Sequence, residues 1–319
     1  MPKLKVIFDT DPGIDDAMAL LLLARHPDVE LLGVTTVFGN GGIEAVTRNA
    51  LYLKDRFGFT APVAQGADRP LGGDVPPGTH HVHGHNGLGD VELPSHISAT
   101  LDPRPAHQLI VELIRANPHE ITLIAVGRMT NLALALEAAP DIAGLVKDVV
   151  LMGGGFGFNG HIGNVTPVAE ANIIGDPLAA DIVAGAAWPL IFVGLDVTKE
   201  VTMTTAYVDE LAANGGEDGR FVRAISSYYA NFYRDREGID GFFVHDASAV
   251  TYALHPEYFA TLKGQIRVVP DGIAKGQTII KREGQNFPPG AWDGRPLHTI
   301  CTGVQSGRVL ALYRGIFKG

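Results

Sequence analysis

Short, wholly apolar runs alternate along much of the chain with longer segments whose apolar residues return every three or four positions. The runs Val6 to Phe8, Leu31 to Val37, Ile121 to Val126, Val149 to Met152 and Leu190 to Val193 read as buried strands. Between them, Ala17 to Arg25, Ile43 to Phe57, Ala106 to Ala116, Asn131 to Ala138 and Pro177 to Ala186 carry a helical pattern. Strands alternating with helices predict an α/β fold with an open, mainly parallel, doubly wound, Rossmann-like sheet flanked by helices. Ligands of such sheets sit beyond the carboxyl ends of the strands. The turns Asp9–Asp16, Gly39–Gly42, Gly127–Asn131 and Gly153–Gly157 each follow a strand directly. The pattern therefore gathers them at one edge of the sheet.

Two stretches break the alternation. Residues 66–100 are rich in Gly, Pro and His without a clear period. That is long for a structureless connection and marks a candidate active-site loop. Residues 214–243 join a Gly-rich turn to an aromatic helix, a mobile or pocket-wall segment. No stretch has the composition of a linker, so residues 1–319 are expected to form one domain.

Composition narrows the partners. Of 319 residues, 46% are hydrophobic, enough for a sizeable core. A net charge of −10 argues against general nucleic-acid binding. The single cysteine, Cys301, excludes an internal disulfide and a Cys-rich metal site, and a reducing cytoplasm is the default expectation. The first strand starts at once, leaving no room for a signal peptide. The run Ala17 to Ala24 is too short to span a bilayer. A small-molecule partner, with no nucleic acid and no membrane, fits these bounds.

Three polar clusters carry candidate chemistry. The first places Asp9, Asp11, Asp15 and Asp16 around a Pro12-Gly13 turn between a strand and a helix. Helix capping accounts for one or two of them. Four crowded anions need a cation or many donors, and a hard divalent metal is the natural choice, with one carboxylate left for acid–base work. The second, Gly160 to Asn172, offers Asn164, Glu170 and Asn172, which suit sugar hydroxyls or an Asx-rich turn equally well. The third is His245-Asp246 at the start of an apolar helix, where Asp as a plain N-cap is the bland account.

Together these pieces resemble the inosine–uridine preferring nucleoside hydrolase family. The matching segments are DTDPGIDDAMAL at Asp9–Leu20, FGN at Phe38–Asn40, VHGxxGLG at Val82–Gly89, GRMTNLA at Gly127–Ala133, GNVTPVAEAN at Gly163–Asn172 and HD at His245–Asp246. The resemblance implies the nucleoside hydrolase fold and hydrolysis of a ribonucleoside to ribose and free base. It implies Ca²⁺ as cofactor, with Asp11, Asp16, Asp246 and the backbone carbonyl of Thr130 as its ligands. Asp11 would double as general base on a metal-bound water. Asp15, Asn40, Asn164, Glu170 and Asn172 would hold ribose hydroxyls. His245 would protonate the leaving base, and His83 would lie near that base. A homotetramer or dimer is implied as well. Family members commonly carry an aromatic residue where this chain has Ala171, on the ribose 5′ side.

Other readings remain open on the residues alone. Asp9-Thr10-Asp11 also opens the signature of haloacid-dehalogenase phosphatases, with Asp9 as nucleophile and Mg²⁺ as cofactor. A non-catalytic nucleoside- or ribose-binding protein would keep the same metal site. The histidines His80, His81, His83 and His85 could meet zinc, although a solvated loop explains them better. Tyr229 and Tyr233 on the helix Ser226–Tyr233 could wall the base pocket, although aromatics at helical spacing are more often core than in contact with substrate.

Overall fold

The computed structural model describes residues 2–317. Its first half runs β1 (Leu4–Thr10), α1 (Ile14–Arg25), β2 (Val29–Thr36), α2 (Ile43–Phe57), β3 (Val63–Gln65), α3 (His80–His83), α4 (Ala106–Ala116), β4 (Ile121–Ala125) and α5 (Thr130–Ala138). There follow α6 (Ile142–Leu145), β5 (Asp148–Met152), α7 (Ala171–Gly175), α8 (Pro177–Val183), β6 (Leu190–Val193), α9 (Leu195–Thr198) and β7 (Thr202–Met203). The chain closes with α10 (Thr205–Asn214), α11 (Gly216–Glu237), β8 (Phe242–Phe243), α12 (Asp246–Leu254), β9 (Phe259–Val268), β10 (Thr278–Arg282), β11 (His298–Val304) and α13 (Ser306–Gly315).

Nine strands form one sheet in the order β10-β9-β11-β6-β5-β4-β1-β2-β3. Strands β1 to β6 are mutually parallel in the doubly wound order, as the alternating pattern predicts. Alternate residues of β1 face opposite layers. Val6 and Phe8 join the core formed with α1, α11 and α12, whereas Ile7 joins the core formed with α4, α5 and α8. The strand order reverses between β1 and β4, and the crevice there lies beyond Asp9–Asp16 and Gly127–Thr130.

The sheet extends past the predicted strands. β11 pairs parallel with β6, then β9 and β10 add antiparallel. β9 buries only part of its length and exposes Ala260, Thr261 and Lys263. A strand covered on one face lacks the continuous apolar run by which the buried strands are recognised.

Candidate active site

The β1–α1 turn is held from within. Asp16, three residues past the N-cap of α1, accepts the Gly13 N–H at 2.9 Å and the Thr10 hydroxyl at 2.5 Å. This is the reach-back half of a capping box, and it places Asp15 and Asp16 at the dipole-favoured helix start. Asn40, from the turn after β2, donates its backbone N–H to Asp11 Oδ2 at 2.7 Å and its side-chain amide to Asp16 Oδ2 at 3.0 Å. Gly39 must lack a side chain, because a Cβ there would strike the Asp11 carboxylate.

Carboxylate oxygens of Asp15, Asp16 and Asp246 lie within 4.8 Å of one another, all buried. Among the described residues this is the only such group of three or more His, Cys, Asp or Glu side chains. The acidic centre thus includes Asp15 alongside Asp16 and Asp246, while Asp11 borders it. Asp11 Oδ1 and Asp15 Oδ1 are buried with no hydrogen-bond partner. Orphaned carboxylate oxygens in a crowded anionic centre fit a hard, oxygen-seeking divalent cation, and an all-oxygen donor set disfavours zinc. Asp246 is not the cap of α12; that position is His245, and no side-chain capping bond is present. Thr130 opens α5, and its hydroxyl donates to Asp176 at 2.7 Å.

Burial first, and then mutual repulsion, pushes these carboxyls up. Asp15, which burial dominates, and Asp16 rise to about 6; Asp11 and Asp246 rise well above the usual carboxylate range. A carboxyl whose pKa is raised on folding contributes stability at low pH that is lost as pH climbs from about 4 through about 6. A bound cation would offset that loss only where the carboxylates are ionised. Chelation is therefore expected to lower the Tm by about 10 °C at pH 8 and by clearly less at pH 5. His83 and His245, lowered by burial to about 4 and about 3, act in the opposite direction with and without metal, so they cancel in this difference. Equal drops at both pH values, read by differential scanning fluorimetry, would mean that the ion is held elsewhere.

Above the acidic centre opens a cavity of about 480 Å³. Asp15, Asn40, His83, Asn164, Glu170, Asn172, His245 and Asp246 all line it. The structure therefore gathers these residues, chosen from the sequence, from five separate connections. The loop 66–100 contributes Pro76 to Thr79 and His81 to His83, and α11 contributes Tyr229, Phe232 and Tyr233. Glu170 also serves as the N-cap of α7, accepting N–H groups of Asn172, Ile173 and Gly154. Asn172 donates to the carbonyls of Val126 and Met152, and Asn164 accepts the Ala171 N–H. These bonds fix three polar side chains of the wall.

The other wall is aromatic. The Tyr233 hydroxyl lies 2.8 Å from His245 Nε2, and the Thr198 hydroxyl lies 2.8 Å from His245 Nδ1. Tyr229 donates to Asp15 Oδ2 at 3.2 Å and lies 3.4 Å from the Tyr233 hydroxyl. His83 accepts the Ile14 N–H on Nδ1 and stacks on Tyr229 at 5.4 Å. Tyr229 and Tyr233 answer to both of the roles open to them, core and pocket wall. Both are buried in the core, yet both line the cavity and link His245 to Asp15. Their spacing marks a buried face, and nothing in the sequence says that this face adjoins a cavity.

Two alternatives lose their footing. Asp9 is fully buried and its Oδ1 takes the Thr35 hydroxyl and the Asn131 amide, which ties it between β2 and α5 and away from the grouped carboxylates of Asp15, Asp16 and Asp246. His80 and His85 stack on each other at 6.0 Å, and the loop histidines form no metal-type cluster among the described residues.

Known proteins place these features in context. The family model described as inosine-uridine preferring nucleoside hydrolase matches residues 6–311. A probable uridine nucleosidase of rice (Oryza sativa subsp. japonica) is 38% identical over 315 residues, covering 97% of this chain and 95% of the relative. An inosine-uridine preferring nucleoside hydrolase of Leishmania major is 40% identical over 283 residues, covering 88% of each. The solved structure of a plant nucleoside hydrolase superposes with a TM-score of 0.95 at 34% identity, covering 100% of both chains.

Proposed function

The chain belongs to the inosine-uridine preferring nucleoside hydrolase family, and from that premise we propose that this ribonucleoside hydrolase cleaves uridine- and inosine-type substrates with Ca²⁺. The observation that carries the reading is one cavity with a floor of buried carboxylates and a wall of hydrogen-bonded tyrosine and histidine.

Asp11, Asp16, Asp246 and the Thr130 carbonyl would hold the ion, with Asp15 close enough to share it. When bound, such an ion neutralises the carboxylates, orients vicinal hydroxyls and lowers the pKa of water. Asp11, with one unpartnered oxygen, takes the proton of the attacking water. Asp15, Asn40, Asn164, Glu170 and Asn172 fix the ribose hydroxyls. Positive charge develops on the ribose as the bond to the base breaks, and the surrounding carboxylates stabilise it. His245, backed by Tyr233, supplies the proton that the departing base requires, and His83 flanks the base. All the acid–base groups for catalysis are thus together, which disfavours a purely binding role.

A reducing-sugar assay over uridine, inosine, cytidine, adenosine and guanosine tests the specificity. Release of ribose is expected to be fastest from uridine and inosine, and to be lost after exhaustive metal removal and restored by Ca²⁺. Full activity in protein whose metal content is nil would refute the metal-dependent scheme. No helix among the described residues is long and apolar enough to cross a membrane. A cytoplasmic homotetramer or dimer belongs to the same proposal, and light scattering measures its size.

A further inference from the structure

Arg128 is a buried cation that the scheme above leaves unused. It sits on the β4–α5 turn, 6% exposed, and lines the cavity beside Glu170, Asn172 and Gly175. Its guanidinium lies 4.5 Å from the centre of the Phe38 ring. Nε is buried without a partner, and no hydrogen bond or ion pair to Arg128 occurs among the described residues. Gly175 makes its place, since a Cβ there would collide with Arg128 Nε and Cδ.

What this group lacks decides what it binds. Burial lowers its pKa and Asp11, Asp176 and Glu170 oppose that, so acidic groups of the chain already act on it. Guanidinium carries five N–H donors, and here they lack acceptors. Missing acceptors beside acidic groups call for a neutral oxygen rather than another anion. An oxocarbenium-like transition state sharpens the point, because an idle cation beside the sugar would only oppose it.

The cavity has two ends. The aromatic end, Tyr229, Tyr233 and His245, is tied to Asp15 and suits the base. Arg128 belongs to the end formed by Glu170 and Gly175, where Ala171 also lines the cavity. In a ribonucleoside the base and the CH₂OH group flank the ring oxygen, while the 2′,3′-diol forms the opposite edge. With the base at the aromatic end and the diol over the acidic centre, the CH₂OH group points to the other end. Resting on the ribonucleoside reading, we propose that Arg128 donates to the 5′-hydroxyl of the substrate and is a specificity-determining residue for it.

The experiment pairs uridine with 5′-deoxyuridine in the wild type, Arg128→Met and Arg128→Lys. Wild-type kcat/KM is expected to fall about 100-fold on losing the 5′-hydroxyl, and Arg128→Met to discriminate by less than about 5-fold. Arg128→Lys, which keeps a donor, is expected to recover part of the discrimination. Undiminished discrimination in a folded Arg128→Met protein would overturn the assignment. So would faster turnover of uridine 5′-monophosphate than of uridine, since Arg128 would then be reading charge. Calorimetry with methyl β-D-ribofuranoside and its 5-deoxy analogue, which are fixed as the five-membered ring of ribose, reads the same contact without nucleoside turnover. If no nucleoside is hydrolysed, the catalytic reading falls alone, while loss of the preference for the 5-hydroxyl riboside in Arg128→Met still supports the contact and its persistence overturns it.

Discussion

Asp11→Asn is expected to reduce kcat for uridine by at least about 10³-fold while leaving the fold intact. The substitution is nearly isosteric, and it must be, because Gly39 packs directly against this carboxylate. Asp11 Oδ2 takes the Asn40 backbone N–H, so the amide oxygen of an asparagine would be held there. Its NH₂ group would then occupy the position of Oδ1, the oxygen that has no partner. An amide nitrogen there can neither accept a proton nor face a cation favourably. Base and metal affinity would be lost together, and saturating Ca²⁺ would rescue only the second. Kinetics at saturating metal, with circular dichroism and metal content measured on the same sample, separate the two losses. A variant retaining kcat within tenfold of wild type would remove Asp11 as the base.

The site was legible where its chemistry is local in sequence. Asp11, Asp15 and Asp16 share one turn with Pro12 and Gly13, and a turn with so many anions declares its need for compensation. His245 and Asp246 are adjacent, and the structure brings both to the same cavity. The fold was legible for a similar reason, since β1, β4, β5 and β6 are buried on both faces and leave unbroken apolar runs. Strands β9 and β10 expose residues along their length and β11 is only partly buried, so all three lose that signature.

Partnerships across long separations were not legible. Glu170 looks equally apt as cap or sugar ligand, and only the position of Gly154, 16 residues away, shows how fully its oxygens are engaged. Tyr229 reaches Asp15 across 214 positions, and helical spacing cannot report that. Nothing in the sequence around Arg128 signals its burial. Its burial follows from Gly175 and Phe38, which come from different connections of the sheet. The positions whose role the sequence left open are those where a residue serves packing and cavity at once.

His245→Ala is expected to slow inosine hydrolysis by about 10²- to 10³-fold, but hydrolysis of p-nitrophenyl riboside by less than about 5-fold. A purine or pyrimidine leaves poorly unless it gains a proton, whereas p-nitrophenolate leaves without one. Burial lowers His245 to about 3, with Lys199 and His83 adding to the effect, so the imidazole is neutral throughout the working pH range. The kcat profile should therefore show no acid limb near pH 6.5 from this group. A neutral imidazole holds one proton between the hydroxyls of Thr198 and Tyr233, each 2.8 Å away. The Nε2 proton passes to the base as it gains electron density, the Tyr233 hydroxyl reprotonates Nε2, and the phenolate is restored from solvent as Asp11 releases the proton taken from water. Tyr233→Phe should then repeat the leaving-group dependence at smaller size, about 10-fold on inosine and near unity on the nitrophenyl substrate. A purely structural role for either residue would lower both activities alike. Equal losses on the two substrates would remove His245 from the leaving-group side and leave the tyrosines as packing.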